Sequence, residues 1–316
     1  MQFKTRGVVI SVTDLTYDQW PEKAAASGLT TIGIHPYPEK ALYNTVDYME
    51  SDIGQAFLDR CSASGLNVEY EIHAIEHLLP RDLFAENPEL FRMNDDGDRI
   101  ADINFCPSNA DALEIVAENT IKLCNRLHST SGRYFLWGSD AFGWCKCAKC
   151  RELSSSDQAL IMENRMLQAI RTLDANATLA HLAYAGTADP PKSIKPADGI
   201  FLEYAPIHRN HDRPFEEQTE CFENIENLKT NLELFGRESA QILEYWLDVS
   251  LFSDWKRPAK EIRWSDDVFA ADLVTYAKLG IEHITTFACF LDKDYVAAFG
   301  DQHIQRYGKG LCSYKG

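Results

Sequence analysis

The chain has 316 residues, 45% of them hydrophobic and 25% charged, which is enough for one barrel or two smaller domains. With 48 acidic against 31 basic residues it carries a net charge of −17; duplex nucleic acid and anionic membranes are therefore discounted as partners, whereas a neutral ligand such as a glycan stays compatible. No apolar run approaches the roughly 18 residues of a membrane span, and no signal-peptide pattern opens the chain, so a soluble protein is expected, cytoplasmic if full length and secreted or periplasmic if a leader has been removed.

In chain order, an apolar strand is predicted over residues 7–12, a helix over 18–27 and a strand over 30–35. A helix over 52–64 and a strand over 68–74 follow, then a long connection, 75–109, containing Pro80, Pro88 and Pro107. Within that connection Asn94-Asp95-Asp96-Gly97-Asp98 does not match the register of a calcium-binding loop and is read as a β-turn between two short strands. Next come a helix over 110–128, a strand over 134–137, a second long connection over 138–156, a helix over 158–173 and strands over 179–184 and 199–204. The chain ends with a helix over 216–234, a strand over 241–246, a helix over 265–279, a strand over 283–290 and a helix over 294–307.

Three of these boundaries repeat one pattern. Ala26-Ser27-Gly28-Leu29, Ala63-Ser64-Gly65-Leu66 and Lys278-Leu279-Gly280-Ile281 each end a helix at a glycine and enter an apolar strand. Eight strands alternating with helices predict a single (β/α)8 TIM barrel over residues 1–316, with long loops after strands 3 and 4. The alternative, an open doubly wound sheet, expects a Gly-rich phosphate loop after the first strand, and Val8-Val9-Ile10-Ser11-Val12-Thr13-Asp14 contains none.

In such barrels the C-terminal ends of the strands carry the chemistry. Those ends present His35 and Tyr37, then His73 with Glu76 and His77, then Trp137-Gly138-Ser139-Asp140. They continue with Tyr184, with Glu203-Tyr204 followed by His208 and Arg209, with Glu244-Tyr245-Trp246 and Asp248, and with Phe287, Phe290 and Asp292. Cleaving a glycosidic bond needs two carboxyl groups around it. Carboxylates after strands 4 and 7 are a frequent arrangement in barrel glycosidases, so Asp140 and Glu244 form the first candidate pair, with Glu203 the third candidate; Glu203 and Glu244 also lie in apolar runs where an unpaired charge is costly. His35, Tyr37, His73, Trp137, Trp144, Tyr184, Tyr204, His208, Arg209, Tyr245 and Trp246 are candidate sugar-binding residues, as stacking faces or hydroxyl partners.

Nine cysteines, an odd number in a long chain, do not resemble a disulfide framework. Three of them form Cys145-Lys146-Cys147-Ala148-Lys149-Cys150, and Cys106 on the other long loop is the candidate fourth ligand. The set suits a structural zinc that ties the two loops together, with a local disulfide or reduced thiols as the alternatives. No cofactor is required for the expected catalysis.

These segments together resemble the DUF4838 family, glycosidase-like barrels that include glycoside hydrolase family 163. Asn87-Pro88-Glu89-Leu90-Phe91, Asp96-Gly97 and Cys106-Pro107-Ser108-Asn109 are similar to one stretch of the family. Ser139-Asp140 followed by Gly143-Trp144-Cys145-Lys146-Cys147-Ala148-Lys149-Cys150 is similar to its most specific signature, with Ser139 where the family has asparagine. Leu182-Ala183-Tyr184 with Pro190-Pro191 resembles the next strand, and Glu244-Tyr245 resembles an aspartate–tyrosine pair on the seventh. The resemblance implies a hydrolase of O-glycosyl bonds, similar to an endo-β-N-acetylglucosaminidase in which the sugar's acetamido group assists. A non-catalytic carbohydrate-binding barrel and a thiolate-metal-dependent hydrolase are the competing expectations.

Overall fold

The computed structural model describes residues 2–37, 42–141 and 143–314. Its strands are β1 (Thr5–Ile10), β2 (Thr31–Ile34), β3 (Asn67–His73), β4 (Arg133–Trp137), β5 (Thr178–Ala183), β6 (Ile200–Tyr204), β7 (Gln241–Glu244) and β8 (His283–Phe287). All are parallel and pair in sequence order, and β8 closes on β1 in the register Thr5↔His283 to Val9↔Phe287. The closed (β/α)8 barrel is therefore as expected. Gly28, Gly65 and Gly280 all adopt positive φ, 81°, 70° and 83°, so the repeated glycine marks the left-handed turn from helix into strand.

Side chains alternate between two faces along each strand. Val8, Ile10, Ile32, Ile34, Leu136, Leu202 and Ile242 pack outward against the helices. Val9, Phe135, Trp137, Leu182, Phe201, Leu243 and Tyr245 form a separate apolar cluster inside the barrel. Beneath it the interior is polar. Arg133 Nη2 donates to Gln241 Oε1 at 3.1 Å, Gln241 Nε2 donates to Glu203 Oε1 at 3.0 Å, and the Arg133 guanidinium lies 4.0 Å from the Phe201 ring centroid. Burial pushes the Glu203 carboxyl up to about 8 and Glu71 well above the ordinary range. Among the described residues neither Glu71 carboxyl oxygen has a hydrogen-bond partner, and the carboxyl fills the space beside Gly33, where a Cβ would come within 2.7 Å of Oε1.

Several of the longer helices start at side-chain caps. Asn109 caps Ala110–Arg126, Ser265 caps Asp266–Lys278, and Ser154 with Asp157 forms a capping box on Ser155–Ile170. Besides the unpredicted single turns Ile75–Leu78 and Val249–Phe252, three longer elements differ from expectation. The helix predicted over 216–234 is confined to Ile225–Phe235, because Asn224 caps it through Glu226 N and Asn227 N. The last predicted helix is two, Lys293–Phe299 and Gln302–Ser313, divided at Gly300 with φ 80°. A helix not predicted, Leu42–Glu50, precedes Asp52–Ala63. Among the described residues no helix is long and apolar enough to cross a membrane.

Candidate active site

Residues that alternate inward on the strands reach the mouth at their C-terminal ends, and there they surround a cavity of about 470 Å³. His35, His73, Trp137, Tyr184, Tyr245 and Phe287 form its walls, each from a different strand or the residue just beyond it. The walls hold one another. The His73 ring centroid is 5.0 Å from Trp137, His35 is 5.2 Å from Phe287, and Tyr245 stacks on Phe287 at 5.4 Å. Trp137 is fixed from below, where its Nε1–H donates to Glu203 Oε2 at 2.8 Å.

The two histidines are oriented alike. Nδ1 of His35 lies 2.8 Å from the Glu71 carbonyl, and Nδ1 of His73 lies 2.7 Å from the Gly138 carbonyl. A carbonyl only accepts, so both rings carry a proton on Nδ1. His73 Nε2 stands 3.9 Å from Asp140 Oδ1. Burial, with His73 close by, lowers His35 to about 4 and keeps it neutral.

Among the described residues two carboxylates line the cavity, Asp140 after β4 and Asp248 after β7. Asp248 accepts from Ser250 Oγ at 2.6 Å, Ser250 N at 3.1 Å and Leu251 N at 3.3 Å. Burial outweighs those hydrogen bonds and pushes its carboxyl up to about 6. Trp255 also borders the cavity, 52% exposed and with φ 53°. Among the described residues, the non-glycine positions with positive φ, Ala185, Asp254, Trp255 and Phe290, all lie on the loops that follow β5, β7 and β8. Strained backbone gathers at the mouth, as at functional sites generally.

Several expected residues lie elsewhere. Glu244 precedes the inward Tyr245 and so faces the helix layer, fully buried. It accepts from Arg209 Nη1 at 2.6 Å and from the Tyr276 hydroxyl. Arg209 also donates to Asp272 Oδ2 at 2.7 Å, and Trp246 Nε1 donates to the same oxygen at 3.1 Å. Glu244, Arg209 and Trp246 thus belong to a buried knot behind the sheet and do not line the cavity. Tyr204 is outward too, its hydroxyl donating to the Asn224 carbonyl at 3.0 Å. Glu203 faces inward but lies under Trp137. The expected strand-4 and strand-7 carboxylates are therefore not brought together as Asp140 and Glu244; Asp248, four residues further on, shares the cavity with Asp140. Strand parity gives the signal, since Glu244 and Tyr245 cannot both face inward. Tyr37 lines the main cavity, and Trp144 and His208 line a side pocket of about 70 Å³ that opens beside Asp140.

The cysteines do meet. The sulfurs of Cys106, Cys145, Cys147 and Cys150 all lie within 4.8 Å of one another, in buried residues. Cys106 Sγ is 3.8 Å from Cys147 Sγ and 3.9 Å from Cys150 Sγ. Four thiolates around a tetrahedral ion with metal–sulfur bonds of about 2.3 Å stand about 3.8 Å apart, so the donor set fits a metal. Hydrogen bonds from Cys106 and Cys150 pull the Cys145 thiol far down, and Arg99 Nη1 stands 3.7 Å from its sulfur. None of the four sulfur residues lines the cavity, and four thiolates leave no coordination position for a substrate. Next to the cluster, Asn104 accepts from Ser139 N at 3.0 Å and donates to the Gly143 carbonyl at 2.8 Å, clamping the loop that carries Asp140.

The barrel matches several solved glycosidases in fold. Gan42B, a GH42 beta-galactosidase from G. stearothermophilus, aligns with TM-score 0.60 and 13% identity over 98% of this chain, which spans 56% of that enzyme. The catalytic domain of beta-amylase from Paenibacillus polymyxa aligns with TM-score 0.57 and 8% identity, covering 99% of this chain and 100% of its own. A GH20 catalytic module of the pneumococcal exo-beta-D-N-acetylglucosaminidase StrH aligns with TM-score 0.52 and 8% identity, over 98% and 84%. No curated protein matches the sequence. Fold and cavity define the class, a TIM barrel with an acidic and aromatic mouth. Within that class, the family model described as "Domain of unknown function (DUF4838)" matches residues 14–248, and the chain belongs to that family.

Proposed function

We propose that the protein is a glycoside hydrolase whose working carboxylates are Asp140 and Asp248. The observation that carries this reading is a single cavity at the strand ends, walled by aromatic rings and lined by carboxylates from the loops after β4 and β7. Asp248, held up at about 6, is the general acid and gives its proton to the leaving glycosidic oxygen. Asp140 is half-exposed beside His73 and faces the reacting sugar. The family resemblance and the GH20 fold neighbour favour a substrate with a 2-acetamido group. The acetamido oxygen then attacks the anomeric carbon as the glycosidic bond breaks, and Asp140 accepts the acetamido N–H. Water opens the resulting cyclic intermediate, and its proton returns to Asp248. Tyr184, Trp137 and Tyr245 supply apolar faces for the sugar ring.

The four cysteines hold zinc as a structural ion in this reading, tying the 75–109 and 138–154 connections together; the ion takes no part in the reaction. Incubation with aryl glycosides and with complex N-glycans tests the assignment. Sugar release from at least one, with a cut beside an N-acetylglucosamine residue, is expected, and no release from any contradicts it.

A further inference from the structure

The cavity does not end at the mouth. It shares His73, Asp140, Leu182 and Tyr184 with the side pocket, and that pocket shares His208 with an outer groove of about 600 Å³ formed by residues 208–222. A line of rings follows the same route. Tyr184 stacks on His208 at 6.3 Å and 30°, and His208 meets Phe222 edge-on at 6.0 Å. Phe222 is 67% exposed. The exposed large aromatics among the described residues, Tyr43, Phe222 and Trp255, all lie at or beyond the C-terminal ends of strands.

The line of rings is built into the fold. Glu223 is fully buried; its carboxylate lies 3.0 Å from His208 Nδ1 and accepts from Ala185 N at 2.8 Å. One carboxylate therefore fixes both the His208 ring and the strained Ala185 turn, whose φ is 45°. The groove wall is braced by Gln218, which accepts from Asn210 N at 3.1 Å and donates to the Asn210 carbonyl at 3.2 Å. Arg213 and Glu217, four residues apart in the groove lining, pair at 3.3 Å. A lining that mixes both charges with amides and exposed rings suits a neutral, hydroxyl-rich chain better than an ion or an apolar peptide.

We propose that Tyr184, His208 and Phe222 form an outer track that binds sugars beyond the cleaved bond, so that the ligand is an oligosaccharide running out over the β5–β6 side. This deepens the glycosidase reading and rests on it for the position of cleavage. Affinities of the full chain for tetra-N-acetylchitotetraose, cellotetraose, a galactotetraose and a complex N-glycan, each against its monosaccharide, test the track by calorimetry. The wild type is expected to bind at least one chain more tightly than the monosaccharide. Phe222→Ala should reduce that gain about five- to tenfold, and Phe222→Trp should restore it, with unchanged melting temperature and unchanged rate on an aryl monosaccharide. Chain-length gain without hydrolysis of any substrate overturns the cleavage reading and leaves the track standing. Hydrolysis without chain-length gain, or a gain that survives Phe222→Ala, overturns the track.

Discussion

Asp248 and Glu244 are four residues apart and lead different lives. Burial around Asp248 is only partly offset by Ser250 and Leu251, so its proton leaves near pH 6. If that proton is the one transferred, kcat/KM falls as pH rises through about 6, and Asp248→Asn, which keeps much of the cap, lowers kcat by about a hundredfold or more. A pH–rate profile of wild type and variant checks both statements. Glu244 is the opposite case. Glu244→Gln leaves Arg209 facing one fewer charge in a sealed site, which costs about 3 kcal/mol of stability by denaturant titration. Its place behind the sheet was readable from alternation along β7. The role of Asp248 was not, because the chain leaves the strand after Glu244 and only the folded loop shows where the next carboxylate arrives.

The connections after β3 and β4 are the elements most dependent on the cysteines. Their length and the Cys145–Cys150 spacing marked them in the sequence, and the structure brings Cys106 to the same point. On the proposal that the four thiolates hold a structural metal, the purified wild type contains it and Cys147→Ser loses it, read by elemental analysis, with a lower melting temperature. Asn104→Ala leaves the four thiols in place but frees Ser139 and Gly143, so kcat should fall about tenfold while any metal content stays at the wild-type level. Residues 216–224 were harder to read. Their acidic and apolar residues continue the periodicity of the following helix, yet Asn224 supplies a stronger start signal, and residues 217–222 line the groove instead, with Glu223 buried behind them. Gly300 likewise divided a pattern that looked continuous.

Across the whole molecule, alternating strands and helices and the helix–glycine–strand repeat were sufficient to read a closed barrel. What they do not encode is how closure sorts polar residues, some into the plug around Arg133 and others into the mouth. Closure leaves several carboxyls buried with raised values, Asp14 at about 7, Glu203 at about 8 and Asp248 at about 6. The folded state binds their protons more tightly than the unfolded chain does. Their stabilising contribution is complete below about pH 4 and is lost as pH rises through 6 to 8. Melting temperature is therefore expected to fall from pH 6 to pH 9, and a calorimetric series that rises over that interval contradicts this ledger of charges. The central claim, that catalysis belongs to Asp140 and Asp248, is tested most directly by measuring kcat/KM for Asp140→Asn, Asp248→Asn and Glu244→Gln on one cleaved glycoside, per folded molecule. The first two are predicted to lose about a hundredfold or more and the third to match wild type; full activity in Asp140→Asn and Asp248→Asn, with loss in Glu244→Gln, contradicts the account.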